Sequence, residues 1–283
     1  VSETTVRIDA ELAAGRALLE RAFAEDLGPD AVDLTAVALA GVSMRAVLVA
    51  RQPGVTCGLS IAAEAFRMRG VDRVHQLVLD GRAVEPGTQL LELEGNAAAI
   101  LSAERTALNV VQRLSGTATL TSRYVHAVAG TAAGIYDTRK TDPGNRLLQR
   151  WAVRCGGGHN HRFGLFDEAM LKDNHIAACG GITPAVERIR AAHPLARIHV
   201  EADTIDQAAE AVDAGADVVL LDNMSNDELV AAVALVAGRA LTEASGGVNI
   251  ETVGDIARTG VDRISIGALT HSVPAFDAAL DAT

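Results

Sequence analysis

VVLLDNM, residues 218–224, is an apolar run that stops abruptly in polar residues, and five other stretches share its texture. They are GIYDTRK (134–140), AMLKDN (169–174), RIHVEAD (197–203), ALTEASGG (240–247) and RISIGAL (263–269). Helical periodicity fills the intervals in RLLQRWAVRC (146–155), PAVERIRAAH (184–193), TIDQAAEAVDAGA (204–216), NDELVAAVALVAG (226–238) and IETVGDIARTG (250–260). Short buried strands alternating with helices predict parallel βα units. Two architectures satisfy that pattern, an open doubly wound sheet and a barrel. Every run ends in polar or glycine residues, as expected where C-terminal strand ends share one active-site face, and this favours the barrel. About six to seven strands fall short of eight, so the barrel is expected to be incomplete.

The chain before this region reads differently. ELAAGRALLERAFAEDL (11–27) has helical spacing and stops at Gly28-Pro29. MRAVLVARQ (44–52) alternates like a half-buried strand, SIAAEAFRMRG (60–70) reads as a helix ended by Gly70, and VHQLVLDG (74–81) and TQLLELEG (88–95) read as strands joined through a Pro86-Gly87 turn. NAAAILSAERTALNVVQRLSG (96–116) is the longest helical pattern, with Asn96 as N-cap and Gly116 as stop. An antiparallel sheet mixed with helices is therefore expected in this first part, with a domain boundary near Gly116 and the βα units of an α/β barrel beyond it.

Composition narrows the function. Of the 283 residues, 49% are hydrophobic, which excludes disorder; 36 Asp+Glu against 25 Lys+Arg give a net charge of -11, which opposes nucleic-acid and anionic-membrane surfaces. Aromatics at 3% leave little for base stacking. Cys57, Cys155 and Cys179 form no CxxC pair and read as reduced, buried thiols of a cytoplasmic protein. The apolar stretch around residues 36–50 is broken by Arg45 too soon for a membrane span.

Against this acidic background the strand ends carry Arg139, Lys140 and Lys172, with Arg162 on a neighbouring loop. Four cations gathered together repel unless a polyanion sits among them. Ser245-Gly246-Gly247 before a helical pattern and Gly267 in the following unit suit phosphate through bare backbone N–H groups, the pair of turns that barrels use in their last two strands. Glu201 and Asp222, ending successive strands, are candidate oxygen ligands of Mg²⁺; salt bridges to Lys172 are the ordinary alternative. Two other chemistries compete: a metal-dependent barrel hydrolase using His159 and His161 with Lys172, His199 and Asp222 as further ligands, and a Schiff-base lyase using Lys172. A binder without turnover is the third. Arg105 shares a helical stripe with Leu101, Leu108 and Gln112, where a charge should be costly, unless the helix lends it to an anionic ligand.

Taken together these segments resemble quinolinate phosphoribosyltransferase. The resemblance is carried by EDLGPDAVDLT (25–35), AERTALNVVQRLSG (103–116), DTRKTDPGNR (137–146), GGGHNHRFGLFDEAMLKDNH (156–175), VEAD (200–203), LLDNMS (220–225), EASGGVN (243–249) and SIGALTHS (265–272). It implies phosphoribosyl transfer from phosphoribosyl pyrophosphate to quinolinate with decarboxylation, giving nicotinate mononucleotide, CO₂ and pyrophosphate. It implies too an α/β sandwich domain over residues 1–116, an incomplete α/β barrel over 117–270 and a C-terminal segment, 271–283, returning to the sandwich, in a homodimer or higher oligomer where the sandwich of one subunit covers the barrel mouth of its partner, bringing Arg105. Quinolinate would then contact Arg105, Thr138, Arg139, His161, Arg162 and Lys172. Phosphates would contact Lys140, Ser245, Gly246, Gly247, Ile266, Gly267 and Ala268, with Mg²⁺ on Glu201 and Asp222, and the catalytic groups would be Lys140, Lys172, Glu201 and Asp222. The nucleobase-salvage phosphoribosyltransferases are disfavoured by Asn223, which replaces the second acid of their signature, and by the missing Thr/Gly phosphate loop; a same-fold enzyme using nicotinate, or a relative that binds without turnover, stays open, and one carboxylate would need fewer cations than Arg105, Arg139, Arg162 and Lys172 together.

Overall fold

The computed structural model describes residues 3–283, with side chains from Asp9 onward. The chain divides into two compact units: Val1–Ser122 with Asp142–Gly157 and Ser272–Thr283, and Arg123–Thr141 with Gly158–His271.

In the first unit, α1 (Glu3–Leu27) ends at Gly28, whose positive φ of 69° continues no helix. β1 (Ser43–Ala50), β2 (Gly54–Val55), α2 (Leu59–Met68), β3 (Arg73–Gln76), β4 (Ala83–Val84), β5 (Gln89–Asn96) and α3 (Ala97–Ala127) follow. A four-stranded antiparallel sheet has the order β12–β1–β5–β3, where β12 is the last strand, Ala278–Ala282. β1 was expected to be half-buried, yet Ala46 to Ala50 are all buried. Successive side chains point to opposite faces, so both faces of this central strand are covered. Leu48, Phe66, Leu91, Leu93, Ile100 and Phe276 are among the core side chains. No periodicity marks residues 278–282 as a strand; pairing with β1 makes them one.

Asn96 caps α3 as expected, its Oδ1 accepting from Ala99 N at 3.1 Å. Gly116 does not stop the helix, which runs on to Ala127. A Cβ at Gly116 would lie 2.3 Å from the Pro274 carbonyl oxygen, so this glycine allows a close backbone crossing. α4 (Arg146–Cys155) also belongs to this unit and ends at Gly156, where a Cβ would lie 2.3 Å from the Ala118 oxygen.

The second unit is an incomplete α/β barrel. Its strands are β6 (Gly134–Tyr136), β7 (Ala169–Leu171), β8 (Ile198–Ala202), β9 (Val218–Asp222), β10 (Leu241–Ser245) and β11 (Arg263–Ser265). They form one sheet in the order β6–β11–β10–β9–β8–β7, and every pairing is parallel. From β7 each strand pairs with the next in sequence, and β6, the first, pairs with the last. A doubly wound sheet would reverse direction at an internal switch point; this one runs round without reversal and stays open between β6 and β7. Tyr136 also makes an isolated parallel bridge to His159, so part of the loop after β6 behaves as a fragment of a seventh strand. The helices are α5 (Asp173–Cys179), α6 (Ile182–Ala192), α7 (Ile205–Asp213), α8 (Asn226–Val236), α9 (Val253–Arg258) and α10 (Ala268–His271). Ser225 opens α8 with a reciprocal capping box to Glu228.

All three cysteines are free, but only Cys57 is buried; Cys155 and Cys179 close helices and stay partly exposed. No helix among the described residues is long and apolar enough to cross a membrane.

Gly116→Ala tests the close crossing. In an exposed helix the change would add up to about 1 kcal/mol of stability; here overpacking should remove about 1–3 kcal/mol, seen as a lower midpoint in urea unfolding.

Candidate active site

The C-terminal ends of the parallel strands surround a cavity of about 260 Å³. Thr138, Arg139 and Lys140 follow β6, His161 and Arg162 come from the loop behind it, and Met170 and Lys172 from β7 and its end. Glu201 comes from β8, Leu220 and Asp222 from β9, Glu243 and Ser245 from β10, and Ser265 from β11. The three cations expected at the strand ends and Arg162 from its loop are therefore brought together. Thr138, Glu201, Asp222 and Ser245 join them. Gly246 and Gly247 follow Ser245, and Ile266, Gly267 and Ala268 follow Ser265, at the same end of the sheet.

Asp137, wholly buried, organises the basic side of the cavity. Its Oδ1 accepts from His161 N at 2.7 Å and its Oδ2 from Asn160 Nδ2 at 2.6 Å, while its own N–H donates to His159 O. The GGGHNHR loop is thereby zipped onto β6, which brings Arg162 beside Arg139. Arg162 is 9% exposed, its Nη1 donating to Glu168 O at 3.0 Å. Burial pulls its pKa down, and the neighbouring Arg139 charge pulls it further. A guanidinium in that position is poised for an anion.

Lys172 precedes α5 and its Nζ lies 2.5 Å from Glu201 Oε2. The ordinary ion-pair alternative for Glu201 is thus present. Asp222 accepts from Asn223 Nδ2 at 2.6 Å. Glu201 and Asp222 end adjacent parallel strands and face one cavity, a hard-oxygen donor pair that fits Mg²⁺. Thr138 Oγ1 accepts from Lys140 N at 3.1 Å, and Thr270 Oγ1 donates to Lys140 O at 2.6 Å, which ties the lysine's backbone to the turn after β11.

The glycines after β10 were expected immediately before a helix, but α9 begins only at Val253. They serve a tight turn instead. Gly246 has φ 92°, and a Cβ there would lie 2.1 Å from Asn223 Oδ1; Asn223, itself at φ 56°, donates its N–H to Ser245 O. At Gly267 a Cβ would meet Lys140 Cδ and His271 Nε2 at 3.0 Å, so bare backbone is needed beside Lys140.

Arg105 departs from expectation. It is exposed, as are Leu101 (39%) and Asn109 on the same stripe, so its charge sits in water at no burial cost. It lines a groove of about 430 Å³ in the first unit, with Glu25, Asp26, Asn109 and Arg113, and is not among the residues lining the barrel cavity.

Neither competing chemistry finds its geometry. His159 stacks on Tyr136 with ring centroids 5.1 Å apart, while His161 turns inward, so the two do not converge as hydrolase ligands. Lys172 is half-exposed and ion-paired, unlike the desolvated amine of a Schiff-base lyase. The structure brings together a different trio beneath the cavity, His161, His199 and Glu243, with ligating atoms within 4.8 Å of one another. Glu243, and Glu168 that pairs with His199, are absent from the sequence-derived site. The available signal was an acid in the middle of an apolar strand, ALTEA, where burial demands a partner.

Comparison with known proteins follows the same lines. Residues 33–115 match the N-terminal domain, and residues 117–281 the C-terminal domain, of quinolinate phosphoribosyl transferase. The chain is 45% identical over 271 residues to a probable nicotinate-nucleotide pyrophosphorylase (carboxylating) of Bacillus subtilis, covering 94% of this chain and 92% of that one. It is 43% identical to the Mycobacterium leprae nicotinate-nucleotide pyrophosphorylase (carboxylating), covering 96% and 99% respectively. The solved nicotinate-nucleotide pyrophosphorylase of Francisella tularensis superimposes with a TM-score of 0.93 at 37% identity, covering 96% of this chain and 97% of that one.

Substitution at the two adjacent glycines separates turn strain from crowding. Gly247→Ala meets open space and should cost about 1–2 kcal/mol for its positive φ alone. Gly246→Ala, which also strikes Asn223, should exceed it by at least about 1 kcal/mol in parallel thermal melts.

Proposed function

The chain belongs to the quinolinate phosphoribosyltransferase family, and from that premise we propose that the barrel cavity transfers a phosphoribosyl group from phosphoribosyl pyrophosphate to quinolinate, with loss of the 2-carboxylate. The products are nicotinate mononucleotide, CO₂ and pyrophosphate. The observation that carries this reading is the gathering of Arg139, Lys140, Arg162 and Lys172 round one small cavity, with Arg162 depressed by burial and by Arg139. Such a cluster matches a dicarboxylate together with a pyrophosphate.

In this reading Arg139, Arg162 and Lys172, with Thr138 and His161 alongside, receive the two adjacent carboxylates of quinolinate. Lys140 meets the pyrophosphate, while Ser245 to Gly247 and Ile266 to Ala268 receive the terminal phosphate. Glu201 and Asp222 would hold Mg²⁺, which supplies charge neutralisation for the departing pyrophosphate when bound. As pyrophosphate leaves, Lys140 absorbs developing charge, the ribose becomes oxocarbenium-like, and the pyridine nitrogen adds to its anomeric carbon. The pyridinium then takes up the electron pair released as the carbon–carboxylate bond breaks, and a proton replaces CO₂ on the ring. No protein nucleophile is required. Lys172 can follow this change because its partner Glu201 is on the same rim, and a ligand carboxylate can exchange with it.

Arg105 enters this scheme from a second copy of the chain, so the working protein is a dimer or larger assembly with shared sites. The exposure of Arg105 in a groove of its own supports that assignment. Three free thiols suit a reducing, cytoplasmic compartment.

A coupled assay with Mg²⁺, phosphoribosyl pyrophosphate and either quinolinate or nicotinate tests the reaction directly. CO₂ should form in step with mononucleotide from quinolinate and neither should form from nicotinate; turnover of nicotinate alone would replace the dicarboxylate reading with a salvage activity. Arg105→Ala should weaken quinolinate binding about tenfold or more, the value of one charged hydrogen-bonding partner of roughly 1.5–3 kcal/mol, and leave phosphoribosyl pyrophosphate nearly unchanged. Equal losses for both substrates, measured by equilibrium titration, would remove it from the quinolinate site.

A further inference from the structure

Under the cavity lie four polar side chains to which the transfer itself assigns no bond-making role: Glu243, His161, His199 and Glu168. Glu243 is fully buried in β10, an isolated carboxylate in the middle of a parallel sheet, where an uncompensated charge is costly. The compensation is local. His161 Nε2 lies 3.2 Å from Glu243 Oε1, and His199 Nε2 lies 2.8 Å from Glu168 Oε2. The two imidazoles pack on each other with centroids 4.9 Å apart. Burial opposes ionisation of Glu243, yet His161, Ser265 and His199 together hold its carboxyl below the usual carboxylate range. For Glu168 the contact with His199 has the same effect.

Both ends of this assembly return to one residue. Arg162 N donates to His161 Nδ1 at 2.7 Å, which places the imidazole proton on Nε2, facing Glu243. Arg162 Nη1 donates to Glu168 O at 3.0 Å. The path Arg162–His161–Glu243 on one side and Arg162–Glu168–His199 on the other is closed by the contact between the imidazoles. His161 therefore lines the cavity with Nδ1 taken by Arg162 N and Nε2 within ion-pair range of Glu243, so it supports Arg162 while standing beside the carboxylate site. Without such a frame, Arg162 would swing away from the like charge of Arg139, because its guanidinium is long and its repulsion unscreened by water.

We propose that Glu243 is a positioning residue for Arg162: through His161 it fixes the backbone from which the guanidinium projects, while the backbone carbonyl of Glu168, whose carboxylate is itself held by His199, takes the same guanidinium from the other side. The arginine is thereby set for a substrate carboxylate before the substrate arrives, and discrimination between a dicarboxylate and a monocarboxylate depends on that setting. The inference rests on the quinolinate reading of the cavity.

Glu243→Gln, nearly isosteric, removes the charge and keeps the shape. Expected are a rise of about tenfold or more in KM for quinolinate and in its dissociation constant measured without phosphoribosyl pyrophosphate, a kcat within about threefold of the parent, and unchanged phosphoribosyl pyrophosphate binding. A lowered kcat at constant quinolinate KM, or equal weakening of both substrates, would overturn the proposal. Should Glu243→Gln fail to fold by near-ultraviolet circular dichroism, Glu168→Gln decides, since Glu168 is partly exposed: the same quinolinate-selective loss supports the frame, and an unchanged KM refutes it. Failure of the parent protein to bind or turn over quinolinate would instead sink the substrate reading, and this inference with it.

Discussion

Arg139 and Arg162 repel each other, and holding both at the mouth of one cavity is the constraint on which the rest of the second unit depends. Like charges at short range are tolerated where each is anchored separately and where the surroundings supply negative charge or a ligand does so. Arg139 is carried by the chain leaving β6, and Arg162 by a loop stitched to that strand through Asp137. The Glu168 carbonyl takes one guanidinium nitrogen, and the buried imidazole–carboxylate pairs lie underneath. These anchors lie at the end of β6, on the loop that follows it and just before β7, so the cation pair exists only once that loop is seated on the sheet.

The parallel order of the sheet makes this convergence possible. Because every strand runs the same way, all of their C-terminal ends deliver polar residues to a single face, and neighbours in sequence become neighbours in space. Cations arrive from β6 and β7, carboxylates from β8 and β9, and hydroxyls and glycine turns from β10 and β11. The cavity thus gathers cations, carboxylates and hydroxyls from six different strands on one face. Glycine keeps the turns after β10 and β11 low. At Gly246 and Gly267 a single methyl group would collide with Asn223 or crowd Lys140.

Much of this was readable before any coordinates. The alternation of apolar runs with helical segments, each run ending in a polar residue, identified the barrel, because burial and strand polarity impose the same pattern wherever parallel βα units occur. The four cations, the acid pair and the glycine turns were legible because charges at strand ends in an acidic chain stand out. Other features were hidden in the same letters. Gly116 looks like a helix stop, yet its lack of a side chain serves a crossing with Pro274, a segment more than 150 residues away. Arg105 looks buried by its helical spacing to Leu108, and only the packing of α3 shows that Leu108 turns inward while Arg105 faces out with Leu101 and Asn109. Glu243 and Glu168 went unremarked because an acid in a strand has no meaning until its partners are known.

The sequence by itself determined the fold class, the residue types available to chemistry and the end of each strand where they sit. All three are consequences of local periodicity and of the cost of burying charge. Tertiary structure alone decided which of those residues share a cavity, which imidazole meets which carboxylate, and that residues 278–282 complete the first sheet. Contacts of that kind join positions distant in the chain, and their energy depends on distance and burial, which no local pattern contains.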